Sequence, residues 1–250
     1  MFPVRHAWLP AIASAACFSF LMLALPGLSE ARKAPRESEC RPQKALDFLK
    51  RPSFVKKGRL DGKAADRALQ YRVEHYGRVD GVGFAELNST PARSQATTVR
   101  FFGLPVSVHL AIRPALECVE KRIRNTCTSR KEVYEPKALG GFRDINKYRG
   151  GEVSNHLFGI AVDIDPDRNP CCGCVDPWPQ HRACRTGNGD AFKETELPAC
   201  WINAFERYGF YWLGRDPQLR DTMHFEFLGN PERFVRGATR DRVAHSKRRP

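Results

Sequence analysis

Residues 154–163 read Ser154-Asn155-His156-Leu157-Phe158-Gly159-Ile160-Ala161-Val162-Asp163. The alternation of apolar residues after Gly159 predicts a strand over residues 159–165, in which Asp163 faces away from Val162. A glycine lets the backbone bend before that strand, so His156 lies in the preceding turn. A carboxylate within such a strand needs a partner, and imidazole and carboxylate are both ligands that suit zinc. The stretch therefore predicts a metal site built on a turn and a strand.

A second stretch, residues 221–227, reads Asp221-Thr222-Met223-His224-Phe225-Glu226-Phe227. As a strand it places His224 and Glu226 on one face, where Glu226 can orient His224 as a ligand. Three protein ligands with an open fourth position form the plan of a catalytic zinc site, and the metal lowers the pKa of its water to about 7. Asp221 can then take a proton from that water, while Arg143 is the candidate cation for an oxyanion.

The two stretches resemble the fingerprint of the D-Ala-D-Ala carboxypeptidase and L-alanyl-D-glutamate endopeptidase family of zinc peptidases. The first family pattern is S-x-H-x-x-G-x-A-x-D, and residues 154–163 match every fixed position. The second is an acidic residue, two spacers and a histidine, which Asp221 and His224 match. The order and separation of the two motifs make the pair specific, and the resemblance covers about residues 98–230.

The resemblance implies a function and a role for each matching residue. The implied roles are zinc ligands at His156, Asp163 and His224, a general base at Asp221, a substrate- and oxyanion-binding arginine at Arg143, and a substrate contact at Ser154. With one zinc ion per chain, the implied reaction is hydrolysis of a peptide bond involving D-amino acids in bacterial cell-wall peptidoglycan, so the partners are its stem peptides. A D,D-carboxypeptidase, an L,D-carboxypeptidase and an endopeptidase would share this centre, and the choice stays open.

The segment patterns predict an α+β fold with a small antiparallel sheet, helices packed on one side and the zinc site on the open face. This is also the hedgehog/D-Ala-D-Ala peptidase-like architecture that the resemblance implies. Asp165, before Pro166, is interpreted as a turn residue. The predicted divisions are a signal peptide (1–31), a basic N-terminal extension with short helices (32–97), a zinc peptidase domain (98–232) with a cysteine-rich insertion (166–199), and a basic tail (233–250).

The N-terminus indicates export. A positive region at Arg5 and His6 precedes an apolar stretch over residues 7–28 and a small-x-small site at residues 29–31, which is the layout of a secretory signal peptide. The apolar stretch is also long enough to span a bilayer, so the alternative is an uncleaved anchor. The predicted location is secreted or periplasmic, or anchored to the inner membrane by this segment alone.

The cysteines agree with export, because eight of the nine lie outside the apolar N-terminal stretch and an even set favours disulfides in an oxidising compartment. Their connectivity cannot be read from the sequence. The run Cys171-Cys172-Gly173-Cys174 also suggests a second metal site, but its irregular spacing favours disulfides.

The formal charge of +13 and the pI near 9.6 indicate association with polyanions, unless the excess serves only solubility. Anionic envelope polymers fit export, whereas the signal peptide argues against nucleic acid. Two other functions compete with the peptidase. One is a non-catalytic zinc-containing binding module, because the resemblance extends to hedgehog signalling domains. The other is a non-haem iron oxygenase, which the spacing of seven between His156 and Asp163 disfavours.

Overall fold

The computed structural model describes residues 40–148, 151–175 and 177–234. The predicted signal peptide and nearly all of the predicted basic tail lie outside these residues. Within the described part of the chain, no helix combines the length and apolar character needed to cross a membrane.

The fold is α+β, as predicted, and its centre is a four-stranded antiparallel sheet in the order β5-β6-β8-β7. Two antiparallel hairpins, β1-β2 and β3-β4, lie outside that sheet. The described strands are β1 (Val55–Lys56), β2 (Arg59–Leu60), β3 (Ala96–Phe101), β4 (Leu104–His109), β5 (Leu139–Gly140), β6 (Ala161–Ile164), β7 (Phe210–Trp212) and β8 (His224–Phe227).

The described α-helices are α1 (Arg51–Phe54), α2 (Gly62–Tyr76), α3 (Arg113–Thr126), α4 (Arg182–Thr186) and α5 (Ala199–Arg207). α2 begins where the Asp61 side chain accepts a hydrogen bond from the Ala64 amide, and it ends at Gly77. Within the extension predicted to contain short helices, the chain forms a 3₁₀ turn, Asp47–Leu49, followed by α1. α1 starts one residue before Pro52, a residue that is favoured in a first turn and not in a helix interior.

The main core lies between the apolar face of the four-stranded sheet and the helices α3 and α5. Phe205 of α5 stacks on Phe225 of β8 with ring centroids 4.1 Å apart, and it meets Phe210 of β7 edge to face. Alternation along β8 then turns His224 and Glu226 to the opposite face. That polar face is more enclosed than an open sheet surface, because the 3₁₀ turn Asn155–Phe158 is also buried.

The described residues before position 98, residues 40–97, pack on the same body as the sheet. Val73 and Tyr76 of α2 belong to the main core, while Leu49 and Phe54 join Leu228 in a second apolar cluster. The domain boundary near residue 98 stays a prediction, but α2 on its N-terminal side contributes to the core that α3 and α5 share.

The eight described cysteines form four disulfides, so the disulfide interpretation of the cysteine-rich run is confirmed. The pairs are Cys40–Cys118, Cys127–Cys200, Cys171–Cys174 and Cys172–Cys184. The first two tie α3 to the N-terminal residues and to α5, while the last two lie within the predicted insertion. Such a density of disulfides is typical of proteins from oxidising compartments.

Candidate active site

Strand register brings the second and third predicted ligands together. β6 and β8 pair antiparallel with Asp163 directly opposite His224, and directly opposed side chains on one face lie about 5 Å apart at Cβ. The Asp163 Oδ1 atom lies 2.8 Å from His224 Nδ1. Two residues that are 61 positions apart in sequence are therefore brought together by one pair of opposed positions in the sheet.

A bend before β6 brings in the first predicted ligand. Gly159 adopts φ +66°, and a Cβ there would lie 2.1 Å from the ring of Phe142, so both the conformation and the close approach require glycine. The 3₁₀ turn before it, capped by the Ser154 hydroxyl, directs His156 over β6. Its Nε2 atom lies 3.1 Å from both Asp163 Oδ1 and His224 Nδ1.

The polar contacts outside this cluster turn three potential ligand atoms toward its centre. His156 Nδ1 donates to the Gly141 carbonyl at 2.6 Å, so in the neutral ring its Nε2 carries no proton. His224 turns its Nε2 toward the Glu226 carboxylate at 3.5 Å, which leaves Nδ1 pointing inward. Two imidazole nitrogens and a carboxylate oxygen, all within 4.8 Å of one another, form a donor set that fits a divalent cation such as zinc.

The electrostatics of the cluster favour a positive charge at its centre. Burial lowers the pKa of His156, and the nearby Asp163 only partly opposes this, so that ring is neutral. Burial also acts to lower the pKa of His224, but hydrogen bonds to Asp163 and Glu226 outweigh it and raise the value to about 10. Burial would raise the pKa of Asp163, but the two histidines hold it well below its usual range.

Asp221 lies beside the cluster with a buried carboxylate. Its Oδ1 atom is buried and accepts no hydrogen bond from the described residues. Burial raises the pKa of Asp221 to about 7, with the charges of Asp163 and Glu226 adding to the increase while His224 and Arg143 oppose it. The carboxylate thus shares an electrostatic environment with the candidate ligands, and it can act on a group bound beside them.

Arg143 reaches the cluster from the loop after β5. Its Nη2 donates to the Ser154 hydroxyl at 3.3 Å, and its backbone amide donates to the His156 carbonyl at 3.2 Å. Its positive charge acts to lower the pKa of both His156 and Asp221. Ser154 is fully buried, so in this conformation its hydroxyl positions the arginine and the histidine turn.

A cavity of about 210 Å³ is lined by Arg143 and by residues from both sides of position 98. Its lining comprises Arg78, Val79, Asp80, Pro91, Arg93, Arg143, Asp144 and Leu157. Residues 78–93, which the two motifs do not explain, therefore help to shape the surroundings of the site.

The structure adds three side chains that the sequence reasoning did not single out. Asn155 Nδ2 donates to Glu226 Oε2 at 2.5 Å, so the motif itself holds the predicted orienting carboxylate. Arg72 is buried near enough for Glu226 to act on its pKa. Tyr148 has a pKa well above its usual value because of burial and the charges of Asp221 and Glu226. Asn155 lay within the quoted motif, whereas no local pattern marked the other two.

Residues 148–227 match the family model described as D-alanyl-D-alanine carboxypeptidase. The matched range contains both motifs, so the family resemblance is confirmed. The match covers about a third of the chain and leaves out the N-terminal residues that pack on α3. No curated protein and no solved structure matches the chain significantly.

Proposed function

We propose, starting from the match of residues 148–227 to D-alanyl-D-alanine carboxypeptidases, that the chain is a zinc peptidase of bacterial cell-wall peptidoglycan. It would hydrolyse a peptide bond that involves a D-amino acid in the stem peptides. The observation that carries the proposal is the convergence of His156 Nε2, Asp163 Oδ1 and His224 Nδ1 beside the buried Asp221.

In this proposal His156, Asp163 and His224 hold the metal. A bound zinc ion would supply Lewis acidity toward a peptide carbonyl and an acidified water. The Gly141 carbonyl and the Glu226 carboxylate keep the two imidazole rings oriented, because each lies at the nitrogen that faces away from the centre.

Asp221 is the proposed general base, which accepts the proton of the attacking water and delivers it to the leaving amine. Arg143 is the proposed cation that binds the carbonyl oxygen as negative charge develops, or a substrate carboxylate. Its contact with Ser154 fixes the guanidinium relative to the histidine turn, so we assign Ser154 a positioning role.

We also propose that the protein is exported. The four disulfides and the predicted signal segment suit a protein that acts outside the cytoplasm, either released or held by its N-terminal segment. The formal charge of +13 would attract the protein to the carboxylates of peptidoglycan and to anionic envelope polymers.

The first prediction concerns Asp221→Asn. The zinc-loaded protein is incubated with purified muropeptides and the products are identified by mass; release of a terminal D-residue or a split stem peptide identifies the bond. Asp221→Asn should lower kcat by roughly 100-fold or more while the metal content stays at one ion per chain, because only the base is lost. Treatment with a chelator should abolish hydrolysis, and zinc should restore it.

Asp47→Asn is the matched control, since the Asp47 side chain is 89% exposed, and it should retain full activity. Intact muropeptides after incubation with zinc-loaded wild type would contradict the peptidase and favour the binding module. Hydrolysis that survives both Asp221→Asn and metal removal would contradict the mechanism.

A further inference from the structure

The cysteine-rich insertion forms a short ladder with the segment that carries Asp221. Cys171 and Asp221 face each other as an antiparallel bridge. On either side, the Thr222 amide donates to the Pro170 carbonyl at 3.1 Å and the Cys172 amide donates to the Arg220 carbonyl at 3.2 Å. Residues 170–173 therefore form the backbone hydrogen bonds that flank Asp221.

A disulfide lies directly against the Asp221 carboxylate. Cys171 and Cys174 are bonded to each other, and Cys171 is 1% exposed. One carboxylate oxygen of Asp221 lies within 4.8 Å of both sulfurs. Because the disulfide uses both sulfurs, Cys171 and Cys174 offer no thiolate ligand to a metal. The disulfide instead packs beside the Asp221 carboxylate.

The turn between Cys171 and Cys174 is closely packed against the chain that leads to Asp221. A Cβ at Gly173 would lie 1.7 Å from the Gln218 carbonyl oxygen, so the turn between the two cysteines is pressed against the chain leading to Asp221. The Gly173 amide donates to the Leu219 carbonyl at 2.6 Å, and the Thr222 hydroxyl donates to the Pro170 carbonyl. The disulfide closes this turn, so opening it would release the segment that Asp221 pairs with.

We propose that the Cys171–Cys174 disulfide is a positioning element for the general base Asp221 and makes hydrolysis dependent on an oxidising environment. The proposal rests on the proposed function for its catalytic consequence, whereas the structural link between disulfide and Asp221 can be tested without it. In a reducing environment a dithiol would donate two electrons and two protons. The S–S bond would open to two cysteine thiols, and the dithiol would become a cyclic disulfide.

The test compares wild type with the double variant Cys171→Ser/Cys174→Ser, both as the full chain loaded with zinc. The matched control is Cys127→Ser/Cys200→Ser, which removes the disulfide between α3 and α5. We expect the first variant to lower kcat for muropeptide hydrolysis by roughly 10- to 100-fold, with a smaller change in KM and one zinc ion retained, because displacement of the base weakens proton transfer. The control should lose stability and keep kcat.

Combination with Asp221→Asn separates positioning from general damage. If the disulfide acts through Asp221, removing it in the Asp221→Asn background should lower kcat by less than about threefold. Equal losses in both backgrounds would overturn the proposal, and so would an unchanged kcat in the double cysteine variant of an active enzyme.

Amide hydrogen exchange provides a readout that does not need activity. The amides of Cys172, Gly173 and Thr222 should exchange faster in Cys171→Ser/Cys174→Ser and at the wild-type rate in the control variant. If wild type cleaves no muropeptide, the proposed function fails while this measurement still decides the structural link. Unchanged exchange at all three amides would overturn the link itself.

Discussion

At the scale of single residues, polar contacts determine which nitrogen of each histidine faces the centre of the cluster. The Gly141 carbonyl accepts a hydrogen bond from Nδ1 of His156, and the Glu226 carboxylate lies at Nε2 of His224, so opposite nitrogens of the two rings face the same centre. A metal centre built this way depends on two acceptors that are not ligands. The second of them, Glu226, is held in turn by Asn155 of the first motif.

His109 shows the same principle away from the site and leads to a prediction on pH. It is 5% exposed, its Nε2 donates to the Tyr76 carbonyl, and its Nδ1 accepts from the Ala111 amide, so the ring is neutral with both partners satisfied. Burial lowers the pKa of His109 from 6.5 to about 4, with the Tyr76 carbonyl opposing the shift.

The unfolded chain therefore binds a proton at His109 before the folded protein does. The stability contributed by the neutral ring is complete above about pH 6.5 and is lost as the pH falls toward 4, by up to roughly 3 kcal/mol. His109→Asn should lower stability at pH 7 and flatten its decline between pH 6.5 and 4, as measured by urea unfolding. An equally steep decline in the variant would show that His109 is not responsible.

At the scale of elements, a buried arginine links α1 to both loops that lead into the site. Arg51 donates a hydrogen bond from Nε to Glu152 at 2.7 Å and another from Nη1 to Asp216 at 3.1 Å. Glu152 lies just before the first motif, and Asp216 accepts from the amides of Gln218 and Leu219 on the chain leading to Asp221. α1 therefore holds the two loops through the ion pairs of Arg51, and it contributes no candidate metal ligand.

Arg51→Met should destabilise the fold by roughly 3 kcal/mol, because it leaves the buried Asp216 carboxylate, which is 1% exposed, without its cation. The measurement is the free energy of unfolding in urea. Arg59→Met is the matched control, since Arg59 is exposed on β2, and it should change stability by less than about 0.5 kcal/mol. Similar values for the two variants would contradict the role assigned to Arg51.

At the scale of the whole molecule, residues 40–97 are held to the body by a covalent link as well as by packing. The Cys40–Cys118 disulfide joins residues 78 apart in sequence and fixes the start of the described chain to α3. Near it, the Gln43 amide donates to the Arg207 carbonyl and its side chain accepts from the Asn230 amide. We therefore expect residues 40–97 to unfold in one transition with the sheet.

Cys40→Ser/Cys118→Ser should lower the free energy of unfolding by roughly 2 to 4 kcal/mol, since the unfolded chain regains the freedom of a long loop. The Tm should fall by roughly 5 to 15 °C, in a transition that remains single. A second, separate transition would contradict one cooperative unit, and an unchanged Tm would contradict a stabilising role for this bond.

The sequence alone determined the α+β class and the resemblance to D-alanyl-D-alanine carboxypeptidases over residues 148–227. It also indicated the candidate site residues whose positions depend on local patterns. His156, Gly159 and Asp163 lie within ten residues, and a turn and a strand with a period of two define their directions without any distant contact. The apolar faces of α2, α3 and α5 are local properties of the same kind, because they depend on helical spacing within one segment.

Only the tertiary structure decided the features that depend on pairing between distant segments. The opposition of Asp163 to His224 is a matter of strand register, and the four disulfides are one of 105 pairings that eight cysteines allow. The placement of Cys171–Cys174 against Asp221 spans about 50 residues, so no sequence spacing could indicate it. Packing throughout the core determines which distant segments pair. A sequence motif contains only the residues that the chemistry requires within one segment.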